Sequence, residues 1–527
     1  MAGRRVVVVG AGISGLTTAY RLVADHPDLA VTVLEAGPRV GGALVTSPLE
    51  GIGLEVDEGA DAFLVRVPWA TELCTELGLG DELVAPRVRQ ASLWLDGALR
   101  PLPMPNVLGL PLDPSTVAPG ILEEADLDRL TGTGHPDVPL PDGDLSVGAV
   151  VRACVGDAIH ERLVDPLLGG VNAGRADDLS CTIMAPQLLA AARSHDGLLG
   201  SLRAAHRSVD PTAPVFNAPR DGMGQLATAL AGRLGDRVRR NTPVVSLNRV
   251  SDGWAVGTAG GGTVAADAVV VATPAHAAAT QLAPVAPDSA EILAKLVHAS
   301  VVLTTVAFRR ADLAVPDDQS GFLVGRSEGL LITACSFADR KWPHLDHGDH
   351  TVLRISCGRV DDDRPVDLDD RSLREALLTD LATTLGTDAP PSALRISRWP
   401  RSLVQFPVGH AGRMAEVDRD LSDRAPGVVL AGAARYGVGI PACIRSGTEA
   451  ATAAAAHCSC PPSRDIREIL EPTARSPARR GSMGPWLPRR PPHASGPRLD
   501  RAAVPSTPTI CRTPPTCRSF ARSASPT

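Results

Sequence analysis

The chain has 527 residues, 44% hydrophobic and only 3% aromatic, with a formal net charge of −7 at pH 7. Two interlaced domains are expected from that length, and an acidic balance without a basic, aromatic-studded stripe argues against nucleic acid as a partner. No apolar run approaches the roughly 18–20 residues of a transmembrane span, and Arg4-Arg5 lead into a glycine turn instead of a cleavage site, so the cytoplasm is the expected location.

Residues 6–35 read VVVVGAGISGLTTAYRLVADHPDLAVTVLE. An apolar run turns through Gly10, Ala11, Gly12, Ile13, Ser14 and Gly15 into a helix and returns to a second apolar run ending at Glu35. Gly10 permits the tight strand-to-helix turn, Gly12 lets backbone approach a pyrophosphate, and Gly15 allows close helix–strand packing, with the helix N-terminus facing the phosphates. Glu35 stands about twenty residues on, where a carboxylate accepts hydrogen bonds from a ribose. The order of strand, helix, strand and acid predicts a bound dinucleotide in a Rossmann-type α/β domain.

Arg39, Gly41 and Gly42 follow Glu35 directly, and GLEVDEGADAF follows at 53–63. An NAD dehydrogenase needs no second glycine pair there, whereas in flavoproteins of the glutathione-reductase and amine-oxidase type this segment runs back along FAD. The predicted cofactor is therefore FAD. Helical patterns follow at 145–165 and 371–386, and β-patterns at 300–309, 329–335 and 351–357. Residues 216–234 read as helix, 242–250 and 253–258 as strands, and 267–282 as a strand followed by a loop. Near the end, VVLAGAARYGVGIPACIRSGTEAATAAAA (428–456) predicts a strand, a glycine turn at Gly432, and Gly437–Ile440 opening an alanine-rich helix whose positive end would sit by the flavin.

The expected division is 1–85, 216–285 and 395–457 for the FAD-binding domain, with 86–215 and 286–394 forming an α+β substrate domain inserted twice. Cys74, Cys154, Cys181, Cys335, Cys357 and Cys443 lie scattered without a C-x-x-C pair, as expected of reduced thiols. WPHLDHGDH, with His344, His347 and His350, resembles metal-ligand spacing, but Pro343 and Gly348 put it in a turn, and no metal is expected. The acidic run at 361–370 reads as a solvated loop before a helix. From 458 to 527 the chain is rich in Pro, Arg and Ser and lacks Lys, a composition expected to be disordered. Because the shift falls inside an alanine helix, a shifted reading frame is the expected origin. The other reading is a native basic tail for an acidic partner or a peripheral membrane contact.

The chain resembles oxygen-dependent protoporphyrinogen and coproporphyrinogen III oxidases, within the amine-oxidase-like flavoproteins, along almost all of residues 4–456. The resemblance rests on the FAD fingerprint, DPLLGGVNAGRADDLS at 165–180, FNAPRDGMGQL at 216–226, FADRKWPHL at 337–345, RWPRSLVQFPVGH at 398–410 and, most discriminating, GVGIPACIRSGTEAA at 437–451. It implies removal of six electrons from a porphyrinogen in three two-electron steps, with molecular oxygen reduced to hydrogen peroxide. Soluble bacterial members more often convert coproporphyrinogen III to coproporphyrin III, and protoporphyrinogen IX is the alternative substrate. The cofactor carries the hard step, so no catalytic general base is named.

By the same resemblance the FAD contacts are Gly10 to Gly15, Glu35, Ala36, Gly59, Ala60, Asp61, Ala62, Val245, Trp399, Val438, Gly439 and Ile440. Relatives carry Lys or Arg after the glycine pair where this chain has Ala43, leaving Arg39 to supply the charge. Arg66 stands where relatives carry a basic residue near a substrate propionate, which an arginine fork suits. Three rivals remain. An amine oxidase would favour an aromatic cage and a lysine by the flavin, but Tyr20 and Tyr436 are the only tyrosines and 300–308 holds no Lys. A carotenoid-type desaturase and a non-catalytic flavin- or porphyrin-binding protein are the others. Oligomeric state is not legible.

Overall fold

The computed structural model describes residues 3–208, 210 and 212–459. Its first sheet is parallel, with Arg5–Val9 between Ala30–Leu34 and Ala268–Val271, Val238–Arg239 outside the second strand, and Val428–Leu430 at the other edge. Parallel strands buried on both faces read as unbroken apolar runs, and VVVV obeys this. Val6 and Val8 pack with Leu16 and Leu22 of the helix Ile13–Asp25 and with Ile444, Ala451 and Ala454 of the last helix. Val7 and Val9 pack on the opposite side with Trp254, Val256 and Leu421. Each such valine contributes about 1.5–3 kcal/mol of burial.

Two helices meet face to face because both are small where they touch. A Cβ on Gly447 would lie 2.4 Å from the Ser14 carbonyl oxygen, and Ser14 and Thr18 hydroxyls donate to carbonyls of Cys443 and Gly447 at 2.9 and 3.0 Å. The last helix runs Ile440–Ser459, with Cys458 buried against the core. The boundary expected after His457 thus falls two residues short, because Cys458 continues the packed face. The composition change beyond lies outside the described residues.

A seven-stranded sheet runs in the order Ala393–Val404, His298–Arg309, His350–Cys357, Ile332–Phe337, Gly321–Val324, Ser92–Leu95, Ala98–Pro101. Its outer face (Val302, Val306, Phe308, Ile355, Cys357) is sealed by Leu373, Leu377 and Leu381 of the helix Asp370–Leu385. Residues from 110 to 202 build a separate helical core around Val150, Leu163, Leu188 and Leu199.

Strand and helix expectations hold in kind across most of the body, with three differences. The segment expected as one helix from 216 opens as a strand, Phe216–Pro219, pairing with Phe63–Leu64, and its helix begins only at Gly224. Pro219 and Gly222 between them break the helical run. The loop expected after 271 is the helix Ala275–Leu282, entered directly after Pro274, whose fixed φ suits a helix start. The helix expected over 145–165 is split at Gly156, whose φ of 95° leaves the helical region. No helix among the described residues is long and apolar enough to cross a membrane.

Candidate active site

The glycines of the first turn differ in what constrains them. Gly10 has a φ of 99°. A Cβ on Gly15 would stand 2.0 Å from the Gly10 carbonyl oxygen, so the helix crosses the strand end at a distance only glycine allows. Gly12 has extended dihedrals and nothing within 4 Å of its Cβ position. The first helical bond runs from Leu16 N–H to the Gly12 carbonyl, so the amides before Leu16 precede the ladder and face outward. Gly42, with Gly12 Cα 3.3 Å from its Cβ position, forms the facing wall. At Gly12 and Gly42 backbone faces backbone, which leaves room for a pyrophosphate, and the residues fit FAD.

Glu35 sits at the end of the second strand. One carboxylate oxygen accepts from Ala11 N–H at 2.7 Å and the other from Gly37 N–H at 2.8 Å. These bonds aim the carboxylate while leaving lone pairs for a ribose. Glu35→Gln puts a donor where an acceptor is needed, and we expect at least about a tenfold weaker FAD affinity, in line with one lost charge-assisted hydrogen bond, measured by flavin titration of the apoprotein. Arg39 is exposed, and its Nη1 donates to the Gly42 carbonyl at 2.7 Å, which brings the guanidinium to the glycine wall. Ala36 and Val245 are both exposed, Val245 in the strand Val244–Val250.

The segment Gly59–Ala62 is fixed by Arg354, which sequence reading did not single out, and by Trp399, which it did. Arg354, in the strand His350–Cys357, donates through both Nη atoms to the carbonyls of Asp57 and Gly59, and its Nε lies 3.7 Å from Asp61 Oδ2. Trp399 Nε1 donates to the Glu58 carbonyl at 2.7 Å, and its ring stands 3.1 Å from where a Gly59 Cβ would lie. Burial would raise Asp61, but Arg354, with Lys341 behind it, outweighs burial and holds its carboxyl below the ordinary range. At the far end, Gly437 with a φ of 136° turns the chain so that Val438 and Gly439 precede the last helix and Ile440 is buried at its start. The one signal for Arg354 in the sequence was an arginine set between the apolar residues Val352, Leu353 and Ile355 of a strand.

Asp57 behaves differently. Burial pushes its carboxyl up to about 6, although the Thr46 hydroxyl, Arg354 and the Met223 amide partly oppose this. A folded-state pKa above the unfolded value of about 3.9 favours the protonated form, so this contribution to stability is present below pH 4 and is lost as pH rises through 6. Asp57→Asn mimics that neutral form. Its melting temperature should match the wild type below pH 4 and exceed it at pH 8.

The seven-stranded sheet turns one face toward this segment. Leu303 pairs with Ser356, Ser356 with Ala334, and Ala334 with Leu323, and all four are half-buried while their neighbours along each strand are buried. Strand alternation puts Arg354 on the same face as Ser356, so the row lies beside Gly59. At its far edge stands the helix Asp165–Asn172, where a Gly170 Cβ would meet Leu323 Cδ2 at 2.8 Å and Val171 is exposed. This flat, mostly uncharged floor was not found from sequence, since its four residues come from four strands.

Arg66 is exposed, two residues beyond the strand Phe63–Leu64. His344 leads the strand-joining turn, and burial pushes it down to about 4. Among the described residues no group of three or more His, Cys, Asp or Glu has a metal-holding arrangement. Burial pushes the thiols of Cys74 and Cys443 up to about 12 and about 11, which keeps them un-ionised.

The family model for flavin containing amine oxidoreductases matches residues 13–455. The chain is 30% identical over 466 residues to the coproporphyrinogen III oxidase of Bacillus subtilis, covering 85% of this chain and 97% of that protein. To the coproporphyrinogen III oxidase of Mycobacterium leprae it is 34% identical over 448 residues, covering 84% and 96%. A crystal structure from Exiguobacterium sp. 255-15, provisionally described as a protoporphyrinogen oxidase, superposes with a TM-score of 0.78 at 31% identity, covering 87% of this chain and all of that one. With its fingerprint groove, its Glu35 anchor and this match across nearly the whole described body, the chain belongs to the flavin containing amine oxidoreductase family, and its cofactor is FAD.

Proposed function

We propose that this protein oxidises coproporphyrinogen III to coproporphyrin III, with molecular oxygen as the terminal acceptor and hydrogen peroxide as its product. The observation that carries the reading is 34% identity across 96% of a coproporphyrinogen III oxidase. Bound FAD supplies the two-electron acceptor at its N5. The chain's own part is position and exclusion of water. Gly10 to Gly15, Glu35, Ala36, Arg39, Gly41 and Gly42 hold the dinucleotide end. Gly59 to Ala62, fixed by Arg354 and Trp399, and Val438 to Ile440 hold the flavin end, with Val245 beside the nucleotide.

The row Leu303, Ser356, Ala334 and Leu323 suits a flat macrocycle, and Arg66 suits one of its propionates. The first sheet and its helices form the FAD domain, and the seven-stranded sheet with the helical core of 110–202 forms the substrate domain. We assign the protein to the cytoplasm on its scattered, unpaired cysteine spacing. Protoporphyrinogen IX is the second reading, favoured by the description of the Exiguobacterium structure. Anaerobic mixing with coproporphyrinogen III tests the first. The account expects the flavin absorbance to bleach at the first turnover, and a flavin that stays oxidised would refute it.

A further inference from the structure

One cation near the flavin end makes no ion pair, although its charge reaches the Asp61 carboxyl. Lys341 closes the short helix Ala338–Lys341, and among the described residues no acidic group lies within ion-pair distance of it. Its Nζ instead stands 5.6 Å from the centroid of the Phe216 ring and 5.3 Å from that of Trp342. Such contacts steer an ammonium group without neutralising it. Trp342 is buried and lines the small cavity that also holds Asp61, Thr305 and Arg354, so Lys341 stands at the edge of the region that fixes Gly59–Ala62.

The ground around it is apolar and open. Phe216 pairs directly with Leu64, and Val65 N–H bonds to the Val215 carbonyl. Leu64, Val67, Val215 and Phe216 are 44, 42, 40 and 37% exposed. Phe216 and Leu64, directly paired, turn their side chains to the same face of the strand pair, and large exposed apolar side chains gathered in this way mark a contact site. Arg66 interrupts them in sequence and Lys341 overhangs them in space. The ledge therefore offers what an amphipathic ligand needs, an apolar surface edged by two positive charges.

Resting on the porphyrinogen reading, we propose that Lys341 is a second carboxylate anchor of the substrate, holding a propionate while the macrocycle edge covers Phe216 and Leu64. Arg66 and Lys341 then engage separate propionates. A half-buried ammonium held beside two aromatic rings gains more from an incoming carboxylate than a fully hydrated lysine would. Because the site reads carboxylates, its contribution scales with substrate charge and leaves flavin binding untouched.

The test compares coproporphyrinogen III with its tetramethyl ester on the holoenzyme. Lys341→Met should raise KM for the tetra-acid about tenfold, the loss of one charge-assisted hydrogen bond, with kcat, flavin content and KM for the ester unchanged. Lys341→Arg should restore most of the affinity for the acid. Binding of coproporphyrin III to the oxidised holoenzyme, followed by fluorescence, should weaken in parallel. An equal rise in KM for acid and ester would overturn the assignment, since it would show a packing role. Unchanged KM, with loss of binding to phosphatidylserine vesicles, would overturn it in favour of a lipid surface. Failure of the wild type to oxidise either substrate would instead remove the porphyrinogen reading and this inference with it.

Discussion

Gly12→Ala is expected to leave a folded protein with much weakened FAD affinity, and Gly15→Ala a protein whose fold is itself destabilised, with or without flavin. The two glycines lie in one turn and differ in what a methyl group would meet. At Gly12 the backbone is extended and open, with no atom within 4 Å of the new carbon, so the flavin-free form has nothing to rearrange. The methyl projects into the groove where the pyrophosphate must come against backbone N–H groups. Losing roughly two charge-assisted hydrogen bonds weakens FAD at least about a hundredfold.

At Gly15 the methyl would stand 2.0 Å from the Gly10 carbonyl oxygen and 3.2 Å from Ala272 Cβ. Both neighbours belong to the central strands of the parallel sheet or their ends, and a rigid backbone cannot yield cheaply. Overpacking of this kind costs about 1–3 kcal/mol or more. Melting temperatures of flavin-free and flavin-loaded forms separate the two effects. Equal destabilisation by both substitutions would contradict the reading of Gly12 as a cofactor-facing position.

Arg66→Leu is expected to raise KM while the flavin spectrum stays intact, because the lost bond orients substrate and does not hold cofactor. A charge-assisted hydrogen bond contributes about 1.5–3 kcal/mol, so kcat/KM should fall about tenfold to hundredfold. If the guanidinium also sets which meso carbon faces the flavin, kcat falls too. Arg66→Lys keeps charge without the planar fork and should recover part of the loss. Steady-state kinetics on coproporphyrinogen III checks this, and unchanged kinetics would make Arg66 a solvated surface arginine.

The strand–helix–strand turn and the place of Glu35 were legible because their determinants are local. Gly10, Gly12, Gly15 and Glu35 lie within one strand–helix–strand unit, and each is constrained by its own backbone. The helix Asp370–Leu385 and three strands of the larger sheet, His298–Arg309, Ile332–Phe337 and His350–Cys357, were legible from periodicity for the same reason. Phe216–Pro219 was not, since its strand character comes from pairing with Phe63–Leu64, more than a hundred residues earlier. Arg354 escaped for a similar reason. Its role depends on the register that sets it opposite Thr305 and Ser336, within reach of the Gly59 carbonyl, and register across separate segments is a property of the assembled sheet. The half-open row of Leu303, Ser356, Ala334 and Leu323 exists only once four strands have aligned.

The measurement that bears most directly on the central claim is steady-state oxidation of coproporphyrinogen III and protoporphyrinogen IX side by side, with hydrogen peroxide quantified. The account predicts three peroxides per porphyrin formed and a higher kcat/KM for coproporphyrinogen III. Faster turnover of protoporphyrinogen IX would reverse the substrate assignment, and oxidation of neither by a flavin-loaded, folded protein would contradict the account itself.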